Sequence, residues 1–141
     1  MKRIYVNEKW CLGCHLCEYY CAFANSGQDD MVKALKDIRI NPGIRIEERE
    51  DISFAVSCRH CREPYCVKCC ITGALSIQDG VVTVDRNRCI GCYTCILSCP
   101  YGAVMPSDDG VIRKCELCLK NQGLPACVQG CPNQAIIYEE R

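Results

Sequence analysis

The chain has 141 residues and a mass of 15.8 kDa, and 17 of its residues are cysteine. Lysine plus arginine balance aspartate plus glutamate at 17 each, so the net charge is zero, which argues against a nucleic-acid module built on a basic patch. No run of 18 apolar residues occurs, which excludes a helical membrane span.

In chain order, Arg3-Ile-Tyr-Val6 is a short β-prone run. No apolar stretch follows the charges of Lys2 and Arg3, and Glu8 and Lys9 come next. This start reads as neither a secretory nor a twin-arginine leader. The expected location is therefore the cytoplasm, whose reducing conditions would not preserve a disulfide scaffold. An odd cysteine count would also leave one thiol over. Metal is the expected staple for so thin an apolar core.

The first cysteine group is Cys11-Leu-Gly-Cys14-His-Leu-Cys17-Glu-Tyr-Tyr-Cys21, with a short helix expected across its second half. Residues 22–57 carry no cysteine. There Asp29 and Asp30 precede a predicted helix over 31–38, acidic at its positive end, and Pro42-Gly43 breaks it. Residues 44–46 and 52–56 alternate apolar and polar, which predicts two strands joined by the charged stretch 47–51. Such a hairpin reads as a solvated cover or as a docking surface for a partner.

The second group is Cys58-Arg-His-Cys61-Arg-Glu-Pro-Tyr-Cys66-Val-Lys-Cys69-Cys70. After it, residues 74–77 and 81–84 flank Asp79-Gly80, a strong hairpin signal. The third group is Cys89-Ile-Gly-Cys92-Tyr-Thr-Cys95-Ile-Leu-Ser-Cys99-Pro100, again with a short helix expected near its end. A weaker hairpin follows, 103–105 with 110–112, turning through Asp108-Asp109-Gly110. The fourth group is Cys115-Glu-Leu-Cys118, eight further residues, then Cys127-Val-Gln-Gly-Cys131-Pro132. A last β-prone run over 135–138 is the expected partner of 3–6.

Each group supplies three closely spaced thiols and a fourth lying four positions after the third. The third group matches the bacterial ferredoxin run C-x2-C-x2-C-x3-C-P without gap or substitution. Such a loop wraps three thiolates around one corner of an iron–sulfur cubane while backbone N–H groups point at its sulfurs. Zinc fits less well: a structural zinc takes two separated C-x2-C hooks, and four cysteines within eleven residues overcrowd one tetrahedral ion.

By the ferredoxin rule the fourth cysteine of each group reaches the other cluster of a pair. Four groups then imply four 4Fe-4S clusters in two interlocked pairs. The expected fold is α+β and ferredoxin-like, a single domain over 1–141 with short hairpins and short helices. An inner unit, 58–104, is nested in an outer unit made of 1–57 and 105–141. The outer ligand sets are Cys11, Cys14, Cys17 and Cys131 (cluster 1), and Cys115, Cys118, Cys127 and Cys21 (cluster 2). The inner sets are Cys58, Cys61, Cys66 and Cys99 (cluster 3), and Cys89, Cys92, Cys95 and Cys70 (cluster 4). Cys70-Ile-Thr-Gly-Ala-Leu75 aligns with Cys99-Pro-Tyr-Gly-Ala-Val104, which makes Cys70 the ligand and Cys69 a spectator. His15 and His60 lie inside ligand loops but are not expected to ligate. Trp10, Tyr19, Tyr20, Tyr65, Tyr93 and Tyr101 read as packing that keeps water off the clusters.

The four groups together resemble the four-cluster iron–sulfur subunits of the dimethyl-sulfoxide-reductase electron-transfer family. Cys58-Arg-His-Cys61-Arg-Glu-Pro-Tyr-Cys66 and Cys115-Glu-Leu-Cys118…Pro125-Ala-Cys127 carry the likeness, which spans residues 2–138. In size and motifs the chain is most similar to the ferredoxin-like partner of anaerobic carbon monoxide dehydrogenase or of tungsten aldehyde oxidoreductases. Its departures are Ile71 in place of proline, the extra Cys69, and the absence of the long insertions and membrane anchor of respiratory members.

The resemblance implies a wire. The chain would relay single electrons between a catalytic subunit, of carbon monoxide dehydrogenase, formate dehydrogenase, hydrogenase or aldehyde oxidoreductase type, and an acceptor. A large catalytic oxidoreductase subunit is the implied partner in a hetero-oligomer, with a flavin-containing reductase subunit or a ferredoxin beyond it. The alternatives are a freely diffusing carrier and a structural wire or filament subunit. No catalytic residue of its own is expected: Gly13 and Gly91 belong to ligand turns, not to a nucleotide loop, and no Ser/His/Asp arrangement is suggested.

Overall fold

The computed structural model describes residues 2–36, 41–119 and 124–140. Among them the architecture is α+β, with four two-stranded antiparallel sheets and five short helices.

Strand β1 (Arg3–Val6) pairs with the last strand, β8 (Ile136–Glu139), with Val6 opposite Ile136 and Arg3 opposite Glu139. The two ends of the chain are thus zipped together, as their β-prone runs led us to expect. Strands β2 (Arg45–Arg49) and β3 (Ile52–Val56) form the charged hairpin, turning at Glu50 with φ 53°. Strands β4 (Leu75–Gln78) and β5 (Val81–Val84) are joined by Asp79 and Gly80, both at positive φ, the conformation that Asp-Gly turns supply at low cost. The weaker signal gives the weaker ladder: β6 (Met105–Pro106) and β7 (Ile112–Arg113) pair over two residues.

The helices are α1 (Leu16–Ala24), α2 (Met31–Leu35), α3 (Tyr65–Lys68), α4 (Thr94–Ser98) and α5 (Ala126–Gly130). Asp30 caps α2 by accepting the Val32 N–H at 2.9 Å. That helix was expected to reach residue 38. It stops at Leu35, where Lys36 turns extended, and residues 37–38 lie outside the described residues. Helices α1 and α5 pack closely because Gly130 has no side chain; a Cβ there would run into the Tyr20 ring.

Two apolar cores form, and both incorporate sulfur. One gathers Ile4, Ile44, Ala55, Leu117 and Ile136 around Cys17, Cys21 and Cys127. The other gathers Leu75, Val82, Val104 and Ile112 around Cys95. The expectation that the aromatics form a water-excluding shell is corrected: all six are exposed, from 36% at Tyr20 to 54% at Trp10 and 64% at Tyr65, and the cores are filled by aliphatic side chains and sulfur instead.

The cores make a contrast that can be measured. Ile136→Ala, at a side chain 3% exposed, should destabilise the loaded protein by about 2–4 kcal/mol in anaerobic denaturant unfolding. Ile77→Ala, 47% exposed, should fall within about 0.5 kcal/mol of wild type.

Candidate metal centre

The cysteine loops share one backbone solution. Gly13 and His15 flank Cys14 at φ 67° and 62°, and Gly91 and Tyr93 flank Cys92 at φ 74° and 59°. His60 before Cys61 and Leu117 before Cys118 take the same left-handed turn at φ 47° and 54°. Side chains pay for that conformation with steric strain, so it persists only where the surroundings over-determine it. Gly91 has a further reason to be glycine: a Cβ would collide with the Gly110 carbonyl oxygen. A second left-handed residue follows three of the fourth cysteines, at Gly73, Gly102 and Gln134.

Backbone N–H groups point at sulfur at four places, three of them in these turns. Gly43 N–H donates to Cys21 Sγ at 3.2 Å, His60 N–H to Cys58 Sγ at 3.4 Å, Leu117 N–H to Cys115 Sγ at 3.4 Å, and Ala135 N–H to Cys131 Sγ at 3.3 Å. The Thr94 hydroxyl donates to Cys92 Sγ at 3.5 Å. Gly43 matters by its smallness, since a Cβ would stand 2.9 Å from the Cys115 backbone nitrogen.

Two of the sequence-derived sets meet at small, partly open cavities of similar size. Cys11, Cys14, Cys17 and Cys131 line the first, with Ile46, Pro132 and Ile136. Cys70, Cys89, Cys92 and Cys95 line the second, with Leu75 and Ile112. In each case a thiol from a distant group completes a loop of three. Cys69 does not line the second cavity. It accepts from the Ser98 hydroxyl at 3.2 Å and gives its own proton to the Cys66 carbonyl at 3.4 Å.

Of the other eight thiols, Cys21, Cys58 and Cys127 are buried, and Cys61, Cys66, Cys99, Cys115 and Cys118 are half-buried. Cys127 is buried, and the Cys115, Cys21 and Cys118 thiols bear on it electrostatically. Cys66 feels Cys58 and Cys99, and Cys61 sits half-buried in the loop between Cys58 and Cys66. Burial pushes the Cys17 and Cys115 thiols up to about 12 and raises Cys21, Cys66 and Cys127 as well. At the surface the balance reverses. Hydrogen bonds from the Thr94 backbone and hydroxyl lower Cys92. At Cys70 burial raises the thiol, and the Leu75, Ala74 and Thr72 donors together outweigh it and bring it below its ordinary value.

The donor set fits iron–sulfur clusters better than single ions. All 17 cysteines are unbridged. Four of them line each of the two cavities, the full ligand complement of a 4Fe-4S cluster. His60 adds a second observation. It is 1% exposed, and its Nδ1 accepts the Val82 N–H at 3.1 Å, so the proton sits on Nε2. That Nε2 is buried with no partner among the described residues. Burial, then Lys114 and Arg3, push the His60 pKa down to about 3, so the ring stays neutral. An unmet buried N–H costs about 1–3 kcal/mol, and a cluster sulfur is an acceptor that would remove that cost.

His15 has a different task. Its Nδ1 lies 3.0 Å from Glu18 and its Nε2 3.3 Å from Glu48 of β2. Glu18 also accepts the Ile46 N–H at 2.6 Å, so the charged hairpin is strapped over the first cavity. Lys114 and Gly43 were not singled out from the sequence. Lys114 had a readable signal, a cation directly before a ligand cysteine, whereas Gly43 showed only a turn signal.

Residues 50–141 match the 4Fe-4S dicluster domain. The chain belongs to that family. It is similar to the electron transport protein HydN of Escherichia coli (strain K12), 33% identical over 147 residues that cover 93% of this chain and 83% of HydN. It is also similar to the thiosulfate reductase electron transfer subunit PhsB of Salmonella typhi, 34% identical over 139 residues, covering 94% of this chain and 72% of PhsB. In a longer oxidoreductase of Escherichia coli (strain K12) the matching stretch is 21% of the whole. Among solved structures, a chain of the active-site complex BamBC of benzoyl coenzyme A reductase shares the fold, with a TM-score of 0.54 and 21% identity over 100% of this chain and 80% of that one. The chain is thus an iron–sulfur electron-transfer protein of the dicluster ferredoxin type. Among the described residues, no helix is long and apolar enough to cross a membrane.

Ligation needs thiolate, so acid should favour cluster loss. Anaerobic chelation of iron is expected to abolish the near-ultraviolet dichroism cooperatively, and faster as the pH falls. Native-like dichroism after complete iron loss would contradict this account.

Proposed function

We propose that this protein carries four 4Fe-4S clusters and serves as the electron-transfer subunit of a larger cytoplasmic oxidoreductase. When bound, each cluster takes up and releases one electron. The observation that carries the reading is the crossing of fourth cysteines: Cys131 completes the cavity of Cys11, Cys14 and Cys17, and Cys70 completes that of Cys89, Cys92 and Cys95. The same rule assigns Cys21 to Cys115, Cys118 and Cys127, and Cys99 to Cys58, Cys61 and Cys66. The proposed nesting of an inner unit, 58–104, in an outer unit of 1–57 and 105–141 agrees with two sulfur-bearing cores that draw mainly on one unit each, with Val81 crossing into the outer core and Ile112 into the inner one.

Neighbouring sets influence one another in a single order. Cys17 bears on Cys127, Cys58 on Cys115, and Cys66 on Cys95, which supports a row from cluster 1 through clusters 2 and 3 to cluster 4. The two ends of that row carry exposed apolar side chains. Leu12 is 66% exposed beside the first cavity, and Ile90 is 65% exposed beside the second. This protein's own residues hold the clusters, shield the central ones from water and offer contact surfaces at the ends. A large catalytic subunit of carbon monoxide dehydrogenase, formate dehydrogenase, hydrogenase or aldehyde oxidoreductase type would meet one end. A flavin-containing reductase subunit or a ferredoxin would meet the other. The neutral charge of the chain supports a subunit over a free acidic carrier.

Anaerobically prepared protein should hold about 16 iron atoms per chain. Cys14→Ser should lose one cluster, about four iron atoms, while Cys69→Ser should keep them all by iron and acid-labile sulfide analysis. Co-purification from native cells with a large oxidoreductase at fixed stoichiometry is the expected result; a small monodisperse monomer would favour the diffusing carrier.

A further inference from the structure

Lys114 is 6% exposed, and among the described residues no carboxylate pairs with it. Its Nζ donates to the Val82 carbonyl on β5 and, at 2.7 Å, to the Cys115 carbonyl. The adjacent carboxylate is engaged elsewhere, since Glu116 accepts the Val84 N–H at 2.7 Å. Lys114 therefore fastens the inner hairpin to the fourth cysteine group with an ammonium that has no anionic partner among the described residues. A buried cation without compensation costs several kcal/mol, and carbonyl dipoles offset only part of that.

The surroundings show where the missing negative charge belongs. Lys114 Nζ sits on the carbonyl of Cys115, a ligand of the outer unit, and on that of Val82, whose N–H donates to the His60 ring at 3.1 Å. His60 lies between Cys58 and Cys61 of the inner unit, and its own N–H points at Cys58 Sγ at 3.4 Å. One cation thus stands between a thiol set of each unit. Next to it, Arg113 has its Nε buried without a partner among the described residues.

We propose that Lys114 is the shared counter-cation of the two central clusters and raises the reduction potential of both. This rests on the four-cluster reading. Four thiolates around each cluster leave it with net negative charge, and reduction adds one more electron without making or breaking a bond. A fixed positive charge in a water-poor interior stabilises the reduced form more than the oxidised form, and so lifts the potential. Lys114 is a positioning residue: it holds charge beside the redox groups and ligates nothing.

The test is an anaerobic potentiometric titration of the full chain with dithionite, followed by electron paramagnetic resonance, with iron counted in every sample. In Lys114→Gln, two of the four midpoint potentials should fall, each by about tenfold in the reduced-to-oxidised ratio at fixed potential, which is 59 mV for a one-electron couple. The other two should stay in place. Lys114→Arg should keep all four near wild type, and Lys33→Gln, at an exposed lysine on α2, should change nothing. Unchanged potentials in a fully loaded Lys114→Gln would overturn the proposal, as would an equal fall in all four. If Lys114→Gln fails to load, the arginine variant decides: full loading there supports the charge, and equal iron loss in both variants assigns Lys114 to packing and overturns it. Wild-type protein with far fewer than about 16 iron atoms would instead remove the four-cluster reading itself.

Discussion

Sulfur takes the place of hydrocarbon in this interior. Cys17, Cys21, Cys58, Cys95 and Cys127 are buried, and each apolar core is assembled around thiols as much as around isoleucine, leucine and valine. A buried thiol contributes little unless it becomes a ligated thiolate, and metal-binding free energy is then folding free energy. The rest of the architecture answers to that demand. Helices of four to nine residues, ladders of two to five, and a series of left-handed turns are too small to stand alone, but α1, α3, α4, α5 and the turns place sulfurs or aim N–H groups at them.

The local features were legible because their causes are local. Cysteine spacing marks the four loops without reference to anything distant, and Asp79-Gly80 marks its hairpin by the positive φ that both residues adopt. The pairing of β1 with β8 spans the whole chain, yet it was readable because two β-prone runs had no nearer partner. The meeting of Cys131 with Cys11, Cys14 and Cys17 follows from a family rule that a spacing pattern can invoke.

What stayed hidden depends on contacts between segments far apart. Nothing in the run Arg59-His60-Cys61 says that the imidazole is buried and takes a proton donor from residue 82. Nothing around Lys114 says that its head reaches a carbonyl 32 residues earlier. Gly43 looked like punctuation, whereas its real constraint is the Cys115 backbone against it. The aromatics erred the other way. Trp10, Tyr65 and the other tyrosines beside the ligands resemble core residues in the sequence, but they face water.

The zipping of the two chain ends has a consequence for biosynthesis. Cys11, Cys14 and Cys17 leave the ribosome 114 or more residues before Cys131, the thiol that joins them at their cavity. The second cavity, lined by Cys70, Cys89, Cys92 and Cys95, has its full complement 36 residues sooner. A nascent chain can therefore finish its middle while its beginning waits, and scaffold proteins delivering iron and sulfide would meet these sites inside-out.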